Sequence, residues 1–146
     1  MSAIASFYCF PTNKLIGLRE VWPDTYPYLK EYRQKDLHYN WSGYCMAALM
    51  DYLKLKKIDL STSDYHSLFP GALDEGTWFL DKPLKDQYFK KLNPKHFTDK
   101  ELLKGLQQWF PDDGPETAEP MRDGILLLKK SFEMVDDHTL VMMHVG

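Results

Sequence analysis

The stretch WSGYCMAALMDYL, from Trp41 to Leu53, decides the fold. Trp41, Tyr44, Cys45, Ala48, Leu49, Tyr52 and Leu53 recur at steps of three and four, which sets them on one face of a helix. This is the expected central core helix, and the sequence on either side supplies what packs against it.

Upstream, Ala3 to Phe10 is a short apolar run stopped by Pro11, which reads as a strand buried on both faces. Thr12 or Asn13 can cap a short helix through Leu18. Pro23 and Pro27 then punctuate the approach to a covering helix from Tyr28 to Lys35, with Tyr28, Leu29 and Tyr32 as its apolar face.

Downstream, Ser61 or Ser63 can cap a short helix carrying Tyr65 and Leu68, which Pro70 and Gly71 end. Gly76 to Leu80 is a candidate strand. Asp81 followed by Pro83 suits the start of a helix reaching Lys91, because proline in a first turn has no amide hydrogen to lose. Thr98 with Glu101 forms a capping box ahead of a stripe of Leu102, Leu103, Leu106, Trp109 and Phe110. Residues 111–120 carry three prolines and four acids and read as an exposed acidic loop. A last helix from Glu119 to Val135 points Met121, Ile125, Leu128, Phe132 and Val135 inward, and Thr139 to Val145 closes as a strand.

Three short strands must share one sheet to satisfy their backbone groups, with the helices packed on it. The expected class is therefore α+β: one helix-rich domain over residues 1–146 with a small sheet of about three strands that includes both chain ends. A chain of 146 residues that is 44% hydrophobic can bury one substantial core, and halves of it would be uncomfortably small.

Charge and composition narrow the function classes. A net charge of −3 with scattered lysine pairs offers no basic field for nucleic acid. No apolar run is long enough for a membrane span, and Met1 to Phe10 lacks the form of a secretory signal, so a cytoplasmic chain is expected. Cys9 and Cys45 are then expected to stay reduced and at least partly buried. Glycines are spread singly, with no phosphate-binding loop and no nucleophile elbow, so no cofactor is expected. His138 and His144 would stand about 20 Å apart on an extended strand and cannot share a metal ion. His38, His66 and His96 sit in polar, turn-like surroundings, and the pairs Asp112/Asp113 and Asp136/Asp137 read as solvated turns.

One pair of residues has a catalytic reading. Cys45 in the first turn of the core helix would have its thiolate favoured by exposed amides, and an imidazole at His144 could take its proton. Trp41 to Cys45 resembles the nucleophile-bearing helix of papain-like and cell-wall-peptidase enzymes, and His144, Val145, Gly146 resembles the histidine-bearing strand of the latter. The likeness is confined to these two stretches, and the sequence stops where those families continue into strands that orient the histidine. Core packing explains both positions at least as well, since Cys45 lies within the apolar stripe and His144 continues the face of Leu140 and Met142.

As a whole, the chain resembles small bacterial cytosolic proteins, themselves uncharacterised, that begin with a short strand, carry an aromatic-rich central helix, and end as Val135, Asp136, Asp137 through His144, Val145, Gly146 do here. Many acidic proteins of this build stand beside toxins as immunity partners. That resemblance implies a non-catalytic protein-binding domain. The nine tyrosines and four tryptophans suit a contact surface, and Asp112, Asp113, Glu116 and Glu119 could meet the positive cleft of a basic toxin. The alternatives are a thiol-dependent hydrolase using Cys45 and His144, or a structural protein that self-associates into a homo-oligomer through an aromatic patch.

Overall fold

The computed structural model describes residues 3–146. Its antiparallel sheet contains β1 (Ala5–Pro11), β2 (Thr77–Leu80) and β3 (Thr139–Val145) in the order β1-β3-β2. The helices are α1 (Leu15–Val21), α2 (Tyr26–Leu29), α3 (Gly43–Leu55), α4 (Lys82–Tyr88), α5 (Asp99–Trp109) and α6 (Glu119–Glu133). The chain is α+β, as expected, and strands near both its ends meet in one sheet.

Register divides the core in two. Partners in an antiparallel pair share a face. Phe7 lies opposite Met143, while Tyr8 and Phe79 both lie opposite Met142. One face therefore presents Phe7, Leu80, Val141 and Met143 to α3, α4, α5 and α6. The other presents Tyr8, Phe10, Phe79, Leu140 and Met142 to α1, α2 and Phe69. With a neighbour on each side and cover above and below, Leu140 to Met143 of β3 are all buried, which explains their unbroken apolar run.

α3 is the central helix, capped by the Ser42 hydroxyl, which accepts from the Tyr44 amide at 3.3 Å. The expected single stripe is too narrow an account of it: Met46, Ala47 and Met50 are buried as well, because the sheet, α5 and α6 surround the helix. Trp41 precedes the helix and donates its indole N–H to Asp123 of α6 at 2.9 Å, and Tyr39 donates its hydroxyl to the Pro120 carbonyl at 2.7 Å. Other caps form as the sequence implied. Asp81 accepts from the Leu84 amide at 3.1 Å, Ser63 rather than Ser61 caps its turn, and Thr98 accepts from the Glu101 amide at 3.2 Å. On α6, Met121, Ile125, Leu128 and Phe132 are completely buried.

Three sequence expectations are corrected. The helix foreseen over 28–35 is only α2 and a 3-10 turn (Lys30–Tyr32), because Arg33 bridges to Tyr8 and the Gln34 amide donates to the Phe7 carbonyl at 2.9 Å. The open edge of β1 takes those backbone groups in preference to another helical turn. Thr12 does not cap the first helix. It donates amide and hydroxyl to the His138 carbonyl at 2.9 and 3.2 Å, tying the end of β1 to the start of β3, and α1 runs past Leu18 to Val21. Trp109 is 42% exposed rather than inward, held by an indole N–H donated to Asp51 at 3.0 Å, and Phe110 falls beyond the helix end.

His66, expected in a polar turn, has both ring nitrogens buried without a hydrogen-bond partner and meets Phe79 edge-on, with centroids 4.9 Å apart. Burial holds this imidazole below its ordinary value of 6.5, against the pull of the Asp81 carboxylate. The unfolded chain therefore binds a proton more readily than the folded one as pH falls through about 6.5, so stability is present above that pH and lost below it. Urea midpoints are expected to fall between about pH 7.5 and about pH 5.5, and His66→Phe is expected to flatten part of that slope. A slope unchanged by the substitution would assign the loss to other groups.

Candidate functional site

Beyond the row of Tyr8, Met142 and Phe79, the second sheet face continues into a polar row in which His144 lies between Ser6 of β1 and Thr77 of β2. The layer of α1 and α2 stops short of covering it. Between this row and the connection from α1 to α2 lies a cleft of about 550 Å³. Its sheet side is Tyr8, Thr77, Met142 and His144, and its opposite wall is formed by residues 22–27 and Leu29. Glu75, in the turn entering β2, lines it as well.

The wall is fixed by its own contacts. Trp22 donates its indole N–H to the Pro70 carbonyl at 3.1 Å and packs edge-on against Phe69 with centroids 5.2 Å apart. Tyr26, 66% exposed, stands at the rim as a large aromatic surface without cover. Across the cleft, Nδ1 of His144 lies 3.0 Å from the hydroxyl of buried Thr77. That contact sets the plane of the ring. Burial holds the His144 imidazole below its ordinary value although the Glu75 carboxylate pulls the other way. The charged side chains lining the cleft are Asp24 and Glu75; neither lysine nor arginine is among them.

The structure does not bring Cys45 and His144 together. Cys45 belongs to the core on the α3 side of the sheet, whereas His144 faces the cleft on the other side. The strand order forces this, because Met143 and Val145 turn toward α3 and the residue between them must turn away. Burial also pushes the Cys45 thiol up, and the side chain is only 2% exposed. A helix-dipole-activated thiolate paired with imidazole is thus replaced by a packed thiol on one face and a positioned ring on the other. Alkylation by iodoacetamide near neutral pH is expected to be slow at Cys45 and to accelerate on denaturation, read by mass spectrometry; fast labelling of the native chain would contradict this burial.

Asp112, Asp113 and Glu116 are exposed in the loop between α5 and α6, and Glu119 is exposed at the first position of α6. This loop lies on the helical side of the sheet, away from the cleft. Glu116 and Glu119 share a shallow groove with Lys100 and Arg122, so part of the loop's acidity is locally offset. Arg122 donates to the carbonyls of Pro94 and Phe97 at 2.8 and 3.0 Å and to Asp99 at 2.5 Å. Those bonds commit it to holding the 94–99 segment against α6.

His38, His96 and His138 are exposed. Asp136 serves a turn, accepting from the His138 amide at 2.8 Å. Among the described residues no group of three or more candidate metal ligands comes together, and no helix is long and apolar enough to cross a membrane. Both cysteines are free.

Sequence reasoning passed over Tyr8, Trp22, Asp24, Tyr26, Glu75 and Thr77 as a site. The available signal was polarity within apolar strands, since Ser6 and His144 interrupt apolar runs and Thr77 opens one. No family model, no curated protein and no solved structure matches the chain.

Proposed function

We propose that the chain is a non-catalytic protein-binding domain whose partner is basic, in the manner of an immunity protein that blocks a toxin. The observation that carries this reading is the cleft. Its concave wall of rigid aromatic surface, rimmed by carboxylates and free of lining cations, has the composition of a contact surface rather than of a reaction centre. The separation of Cys45 from His144 favours binding over thiol chemistry. Asp112, Asp113, Glu116 and Glu119 form a second acidic surface on the other side of the sheet, able to steer a positive partner during approach.

The test is capture on the immobilised protein, from a lysate of its own organism and from products of neighbouring genes, followed by association kinetics with whatever is retained in stoichiometric amount. One retained protein of net positive charge is expected, with an association rate that falls as salt is raised. Reversing the charges of the four loop acids separates the surfaces: slower association assigns steering to the loop, and an unchanged rate assigns recognition elsewhere. Absence of any stoichiometric partner, or a partner whose association ignores salt, would overturn the reading.

A further inference from the structure

We infer that the cleft between the polar sheet row and the connection from α1 to α2 receives the side chain of a lysine or arginine presented by the protein partner. The inference rests on the binding function proposed above and names the chemical group that this site takes.

Three features select that group. Trp22 and Tyr26 line the cleft with aromatic surface, whose ring quadrupole attracts a cation and whose carbon skeleton packs against an aliphatic stem. Asp24 on one wall and Glu75 on the other supply negative charge from two separate segments, so an ammonium or guanidinium entering between them is met from both sides. The floor is Met142 with His144 and Thr77, and the imidazole and hydroxyl already engage each other at 3.0 Å. That floor holds no carboxylate, lysine or arginine and suits the stem, leaving the charge to the rim. An anionic side chain would meet only carboxylates there, and an uncharged one would leave them unpaired.

The cleft's fixed parts make the arrangement a preformed one. Trp22 is pinned by Pro70 and Phe69, and His144 by Thr77. A partner inserting one basic residue would bury its apolar stem as an anchor and pair its charge at the rim, without reorganising the domain.

The first experiment uses small probes on the full chain. Nα-acetyl-lysine amide and Nα-acetyl-arginine amide are titrated while NMR follows the indole N–H of Trp22 and the ring of His144, with Nα-acetyl-norleucine amide and Nα-acetyl-glutamate amide as uncharged and anionic comparisons. A saturable shift of both signals with a basic probe is expected, together with at least a threefold weaker response to norleucine and none to glutamate. Asp24→Asn combined with Glu75→Gln alters only exposed positions and is expected to weaken the basic probe about threefold to tenfold, with an unchanged melting temperature.

Equal binding of norleucine, preference for glutamate, or indifference to the double substitution would overturn the inference. Spermidine binding more tightly than either amino-acid probe would overturn the assignment of the ligand to a protein. The two readings fail separately. A captured partner that binds the double variant as well as the native chain leaves the binding function standing and removes the cleft from it. A cleft that takes the lysine probe in a chain that captures no protein keeps the site's chemistry and removes the protein partner.

Discussion

Gly76→Ala is expected to cost about 2–5 kcal/mol of stability, while Gly71→Ala costs only about 1–2 kcal/mol, although both glycines share a φ of +78°. The backbone term is the same at both sites, since an L side chain is strained in the left-handed region. What differs is space. A Cβ at Gly71 meets nothing within 4 Å, whereas one at Gly76 would lie 2.5 Å from the Val145 carbonyl oxygen. That oxygen is backbone and cannot rotate away. Gly76 accepts from the Val145 amide at 2.8 Å, so relief of the clash would stretch the bond that seats the start of β2 on β3. Denaturant midpoints of the two variants, with hydrogen exchange at the Val145 amide, check the prediction. Equal losses would mean that β2 enters the sheet less tightly than this contact implies.

Phe79→Ala is expected to cost about 3–5 kcal/mol, near the upper end for a single core truncation. Phe79 is completely buried, stacks on Phe69 at 5.0 Å, faces Tyr65 at 6.4 Å, and meets His66 edge-on. Those neighbours come from a short 3-10 turn (Asp64–Leu68) and the loop after it, which pack on the sheet through this ring. The second core is also the smaller, so fewer side chains can collapse into the void. The variant should lose exchange protection in residues 64–72 before α3 does, and uniform loss across the chain would show that the two faces unfold as one.

The long elements were legible because each carries a local signature. The steps of three and four in α3, the Thr98 box before α5, the inward stripe of α6 and the apolar run of β3 each specify their own conformation and need only a surface to bury against. The covering elements were less so: the end of the helix foreseen at 28–35 was decided by the unpaired edge of β1, a competitor more than twenty residues upstream in the chain. The candidate site was the least legible. Alternation along β3 does place His144 with Leu140 and Met142, but which face α3 would choose is a property of the assembled sheet, so the Cys45 and His144 pair could be imagined and then separated by packing. The cleft gathers residues from four segments, around Tyr8, 22–27, 75–77 and 142–144, and no spacing in the sequence announces their meeting. Polar Ser6, Thr77 and His144 were local irregularities, and alone each has a structural explanation.

The strand order also governs when this protein can take shape during its synthesis. β1 and β2 are not neighbours in the sheet; among the strands each pairs with β3, the last of the three to be made. Phe7 and Phe10 must therefore wait through more than a hundred further residues for their cross-strand partners, and Phe79 through some sixty. Until Thr139–Val145 has left the ribosome there is no sheet at all, only helices and two orphan strands of high aromatic content, the kind of surface that chaperones hold. The closing strand acts as a keystone: the sheet can assemble only once it is made.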